Sequence, residues 1–173
     1  MEVSFVVPDL RRLDELKSEA IALAFFEDER PLRGAMGLLD WRLCGALSRL
    51  ILRGRASGAL GETVLVATHG RLPCDKLFLF GCGASGDLDE GRFRAQADRM
   101  LGVLDRARVR ASVLGLPGRA TERVAPATAM QLFLEVAAAH TEHDQVVLLE
   151  DAESQRAMMP VVDRDRRRVR AFE

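Results

Sequence analysis

The sequence predicts an α/β protein built on a mixed central sheet, and three observations lead there. Short apolar runs alternate with longer segments of helical spacing, as in 20–26 before 38–53 and 76–80 before 87–109. Two apolar runs, 63–68 and 76–80, are separated by only seven residues that include Gly70 and Pro73. A connector that short suits an antiparallel pair and not a helical crossover, so the strands cannot all be parallel. Finally, the chain has 173 residues, 48% of them hydrophobic, enough for one domain with a substantial core.

The elements follow in order. Residues 3–7 alternate weakly and read as a first strand closed by Pro8 and Asp9, and 10–18 as a short charged helix. The unbroken apolar run 20–26 is a buried strand, and 27–33 a loop. In 38–53, Leu39, Leu43, Leu47, Leu50 and Ile51 recur at helical spacing, which predicts one core-facing helix ending near Gly54. The pair 63–68 and 76–80 comes next, then a helix over 87–109 with Asp87 as N-cap. Residues 110–116 form a strand stopped by Pro117-Gly118, and Pro126 opens a helix running to about 140. A last strand, 145–149, precedes a short helix over 150–159. The arginine-rich tail 163–173 is expected to be a solvated helix or a flexible end. No repeat or linker divides residues 1–173.

Composition narrows the function. The net charge of −1, the absence of tyrosine and the single tryptophan, Trp41, argue against nucleic acid as a partner. No stretch approaches the length of a membrane span, and nothing resembles a signal peptide, so a cytoplasmic protein without membrane contact is expected. Of three cysteines, Cys44 and Cys82 lie in apolar settings and are expected in the core, whereas Cys74, in a polar turn, is expected at the surface. No disulfide, zinc knuckle or other metal site is predicted, and no cofactor.

The most suggestive motif is the turn after 76–80, which spells Gly81-x-Gly83-x-x-Gly86 and is followed by Asp87. Such a loop can cradle a diphosphate at a helix N-terminus. A dinucleotide fold, however, needs the loop in its first βαβ unit and an acid at the end of the next strand. Here that strand ends in 113–117 (VLGLP), without an acid. The glycines then serve a tight turn and close helix packing.

His140 and His143 stand three apart near a helix end beside Glu142 and Asp144, a spacing able to face a metal but lacking a third ligand; a structural role is expected. His69 has no nucleophile partner that the sequence identifies. Glu150, Asp151 and Glu153 form the densest acid cluster, at the end of the last strand where α/β folds build sites, yet Asp151 is equally an N-cap. Hydrolysis around Glu150, Asp151 and His143 is the weakest alternative, because no known catalytic string occurs in the chain.

The order of segments 47–53, 61–66 (GETVLV) and 76–83 (KLFLFGCG) resembles the N-terminal domain of the leucyl aminopeptidases, over roughly 20–140. The resemblance implies a macro-domain-like fold: three layers, with a mixed central β-sheet flanked by helices. It also implies no catalysis, since that family's metals and its N-T-D-A-E-G-R-like signature belong to a separate domain, and the signature is absent here. The expectation is a non-catalytic, stand-alone module for protein interaction, regulation or assembly, with a protein partner or a second copy. The alternative is a macro-like nucleotide or ADP-ribose binder using Gly81, Gly83, Gly86 and Asp87, with Asp9 as the only nearby acid for adenine.

Overall fold

The structure is a computed structural model and describes residues 1–170. Its elements are β1 (Glu2–Val6), α1 (Leu10–Glu15), β2 (Ala20–Phe25), α2 (Gly34–Arg42), α3 (Ala46–Leu52), β3 (Thr63–Ala67), β4 (Lys76–Gly81), α4 (Glu90–Arg106), β5 (Ala111–Gly115), α5 (Pro126–Ala137), β6 (Gln145–Leu149) and α6 (Ala152–Arg170). The six strands form one sheet in the order β1-β6-β5-β2-β4-β3. Every neighbouring pair is parallel except β3 with β4, the hairpin that the seven-residue connector predicts.

Alternation along the central strands creates two cores. Ala20, Ala22, Phe78, Phe80 and Leu114 face Phe93, Leu101 and Phe133, so α4, α5 and α6 cover one side. Ile21, Leu23, Leu77, Leu79 and Val113 face Leu13, Leu39 and Leu47, so α1, α2 and α3 cover the other. The three-layer, mixed-sheet expectation is met. β2 and β4 are buried on both faces, which is why they read as continuous apolar runs.

Several local expectations are corrected. The predicted single helix over 38–53 is two, broken where Cys44 (φ 55°) and Gly45 (φ 77°) adopt left-handed conformations. Across the break, the Asp40 carboxylate accepts the N–H groups of Leu47 and Ser48 and so caps α3. Helical spacing persisted through the break because both helices pack on one core. Asp87 is not the cap of α4: a 3₁₀ turn occupies Ser85–Asp87, and Asp89 accepts from the Arg92 N–H instead. The last helix does not stop at 159 but passes Pro160 and continues to Arg170. Residues 163–170 of the arginine-rich tail are therefore helical, and 171–173 lie outside the described residues.

The cysteines exchange places. Cys44 is exposed, while Cys74 and Cys82 are buried. The helix break carries Cys44 outward, where an Arg71 Nη1 lies 2.8 Å from its sulfur, and the turn holding Cys74 folds inward over the α1–α3 core. Burial pushes the Cys82 thiol up to about 12. Among the described residues, no helix is long and apolar enough to cross a membrane, and no group of three or more ligand-type side chains could hold a metal.

Candidate functional site

The chain leaves β2 for α2 on one face of the sheet and leaves the adjacent β5 for α5 on the other. Where neighbouring parallel strands part in this way, a crevice opens at their carboxyl ends. It is present here as a cleft of about 640 Å³. Leu23, Gly115, Leu116 and Leu149 are among its lining, with Gly34–Met36 at the start of α2 on one side and Ala125 and Pro126 at the start of α5 on the other. Neither helix has a side-chain cap, so each turns free N–H groups and the positive end of its dipole toward the cleft.

A buried ion pair crosses one wall. Arg119, in the loop after β5, sets Nε 3.0 Å from Glu150 Oε1 and Nη2 2.9 Å from Oε2. The same guanidinium donates to Ser154 Oγ at 2.8 Å and to the Val124 carbonyl at 2.6 Å. Burial pushes the Glu150 carboxyl up, and Arg119 pulls it partly back. Asp151 caps α6 through the Ser154 N–H, 2.8 Å away, as the sequence allowed. Glu29, from the loop after β2, is a second buried carboxylate on the cleft, raised by burial and pulled back by the N–H groups of Phe26 and Arg33 and by the charges of Arg30 and Arg33.

Beside the cleft lies a smaller pocket of about 190 Å³, lined by Asp28, Glu29, Arg30, Arg33, Ser85, Thr121 and Arg123. Ser85 brings the glycine-rich turn to this pocket, whereas among the described residues Gly81, Gly83, Gly86 and Asp87 line neither cavity. Gly81 is buried at the end of β4, where a Cβ would meet the backbone of Ala59 and, at 2.7 Å, that of Gly58. Gly83 (φ 75°) donates its N–H to Gly58 and packs on Leu60. Gly86 faces open space, and Asp87 pairs with Arg92 at the surface. The turn's Ser85 N–H and hydroxyl, 3.0 and 2.8 Å from Asp28, already hold a carboxylate. Asp9 caps α1 through the Arg11 and Arg12 N–H groups.

Two of the three histidines are held by neighbouring side chains. His140 bridges Asp105, 2.6 Å from Nδ1, and Asp98, 3.1 Å from Nε2. His143 is buried with Nε2 2.8 Å from Ser112 Oγ, while its Nδ1 faces Asp105 Oδ1 at 3.7 Å, and neither of those two atoms has a hydrogen-bond partner. Burial lowers the His143 pKa against the pull of Asp105. This cluster lies at the amino ends of β5 and β6, at the opposite edge of the sheet from Glu150 and Asp151, so the structure does not bring those acids together with His143. His69 is exposed in the turn after β3.

Sequence reasoning named Glu150 but missed Arg119, Glu29 and the arginines of the smaller pocket. All lie in loops after strand ends, and an ordering of strands would have been needed to bring 27–33 beside 116–124.

Comparison with known proteins completes the picture. Residues 22–146 match the model of the cytosol aminopeptidase family, N-terminal domain, which leaves β1, α1 and α6 outside the match. A probable cytosol aminopeptidase of Alkaliphilus oremlandii is 26% identical over 125 residues, which is 72% of this chain and 25% of that protein. The chain spans about a quarter of the length of the curated relatives it matches. Among solved structures, a tomato leucine aminopeptidase mutant superposes with a TM-score of 0.61 at 13% identity, over 92% of this chain and 35% of that one. A Trypanosoma brucei macrodomain in complex with ADP-ribose superposes with a TM-score of 0.71 at 14% identity, over 92% of this chain and 68% of that one. Both likenesses confirm the macro-like fold. The chain belongs to the cytosol aminopeptidase family, whose N-terminal domain it matches over residues 22–146.

Proposed function

We propose that the chain is a non-catalytic assembly module of the cytoplasm that pairs with a second copy of itself along β3. One observation carries this reading. β3 is the last strand of the sheet, reads T-V-L-V-A without charge or proline, and keeps a regular register with β4, while its middle residue Leu65 is 61% exposed. Sheet edges that stay single are blunted by lysine, proline or a bulge, and β3 has none of these. An antiparallel pairing of two β3 strands about a two-fold axis at Leu65 satisfies both free edges with one repeated contact. Trp41 and Leu52, 69% and 84% exposed on α2 and α3, add apolar surface on the same half of the sheet.

Sedimentation of the intact chain tests the reading. A concentration-dependent dimer is expected, and Leu65→Lys should return it to a folded monomer whose melting temperature no longer depends on concentration, because the side chain is exposed and serves only the pairing. A monomer at all concentrations sinks the reading.

A second reading, nucleotide binding, is favoured by Arg30, Arg33 and Arg123 around the smaller pocket and by the uncapped start of α5. The macrodomain neighbour solved with ADP-ribose has the same fold. Saturating ADP-ribose should then raise the melting temperature by several degrees, and Arg33→Ala should abolish the rise.

A further inference from the structure

We propose that Arg166 of α6 closes off the second free edge of the sheet, so that the chain takes on a second copy at β3 and none at β1. The inference rests on the β3 pairing proposed above and adds what limits it. β1 and β3 are the two edge strands, and the main-chain groups of each alternate between the neighbouring strand and the outside. In β1 the Glu2 N–H donates to the Asp144 carbonyl and the Val6 carbonyl accepts from Glu150, at 2.6 and 3.1 Å, so residues 2, 4 and 6 bond to β6. The N–H and carbonyl groups of Val3 and Phe5 therefore point outward. Just before β3 the Glu62 carbonyl accepts from Gly81, so Val64 and Val66 bond to β4, and the main-chain groups of Thr63, Leu65 and Ala67 point outward.

The two edges differ in what covers those groups. Arg166 sets Nη2 3.0 Å from the Val3 carbonyl oxygen. Among the described residues, nothing beyond the β3–β4 ladder bonds to the main chain of Leu65 or Ala67. Helix α6 delivers the guanidinium. Met158, Val162 and Arg166 follow at four-residue steps, hence on one face, and the first two are buried in the same core as Val3. That face turns from apolar to arginine where the helix reaches the rim of the sheet, which requires α6 to run on through Pro160. Asp163 and Asp165 stand on the same helix, yet the guanidinium is directed to a carbonyl of β1. Glu2, exposed at the start of β1, is a charge of the kind that protects edges, and β3 carries none. A sheet open at both edges would add copies at both ends and grow; with one edge closed off, a two-fold pairing stops at two.

Sedimentation of the intact chain tests this with Arg166→Ala, Leu65→Lys and the double variant. The unsubstituted chain is expected to stop at dimers, and Arg166→Ala, which frees the Val3 carbonyl, to form larger species at the same concentration. The double variant should pair through β1 alone, with a dissociation constant about tenfold or more below that of Leu65→Lys. Arg166→Lys, which keeps a donor, should behave as the unsubstituted chain. Amide hydrogen exchange locates the new contact, because Val3 and Phe5 should gain protection in Arg166→Ala. The Arg166 side chain is exposed, and melting curves check that its variants are folded. Arg166→Ala no more associated than its parent in both backgrounds, or larger species without protection at Val3 and Phe5, overturns the proposal. Monomers for both the unsubstituted chain and Leu65→Lys would sink the β3 pairing alone, and whether Arg166→Ala then associates through β1 still decides the role of Arg166.

Discussion

Arg119 and Glu150 face each other through two guanidinium nitrogens, 3.0 and 2.9 Å from separate carboxylate oxygens, and both side chains are buried. The pair joins the loop after β5 to the end of β6 and forms a wall of the cleft. Removing only the cation leaves a buried charge uncompensated, which costs about 3 kcal/mol or more. Arg119→Ala should therefore lower the melting temperature by roughly 6–12 °C, as read by calorimetry. Replacing both partners together, as Arg119→Met with Glu150→Leu, should recover much of that loss.

The pH dependence of stability has an acid-side signature. Glu29 and Glu150 both titrate above the ordinary carboxylate range in the folded state, chiefly through burial. The folded protein then holds more protons than the unfolded chain between the ordinary carboxylate value and the raised one. Stability from these two groups accordingly grows as pH falls through that window and is lost as pH rises through it. Glu29→Gln should flatten part of the slope and stabilise the protein at neutral pH, as measured by urea unfolding at a series of pH values.

His143 works in the opposite direction. Its pKa is lowered by burial, so the unfolded chain takes up the proton first as pH drops below about 6.5. The stability due to neutral His143 is present above that pH and lost as pH falls toward the lowered value. Ser112→Ala leaves its Nε2 without a partner and should cost about 1–3 kcal/mol at neutral pH, visible as a shifted urea midpoint.

Two glycines of one turn should respond in opposite ways. Gly81→Ala drives a methyl into the backbone of Gly58 and Ala59, with no flexible side chain to yield, and should destabilise by about 1–3 kcal/mol or more. Gly86→Ala meets open space and a φ outside the left-handed region, and should be neutral or gain about 0.4–1 kcal/mol. Thermal unfolding of both variants checks the contrast.

Thiol labelling separates the cysteines. In the native protein only Cys44 should react rapidly with a maleimide, because Cys74 and Cys82 are buried and burial raises both their pKa values. Equal labelling of all three before unfolding would contradict the packing described above.

Strands were the most legible part of this sequence. β2, β4 and β6 are short apolar runs with clear ends, and the brevity of the connector fixed the hairpin. Helix punctuation was less so. The break at Cys44 and Gly45 was masked by apolar residues that keep their spacing on either side, and α6 runs on through Pro160, whose missing N–H weakens a helix without always ending it. The site was read only at Glu150. Glu29 and Arg119 line one cleft from the loops after β2 and β5, which are neighbours in the sheet although the two residues are about ninety apart in the chain, and side-chain spacing carries no information over such a distance. In the glycine turn, Asp28 takes the Ser85 N–H and hydroxyl, and the Gly81 and Gly83 N–H groups go to the carbonyls of Glu62 and Gly58, pairings that the motif spacing does not reveal.

β1 sits at one edge of the sheet and pairs with β6 alone among the strands, Val3 opposite Val146 and Phe5 opposite Leu148. During synthesis β1 must therefore wait, unpaired, until β2 to β5 and then β6 itself have emerged. Its three apolar side chains are at risk for that interval, and the sheet closes as a late event joining β1 to β6.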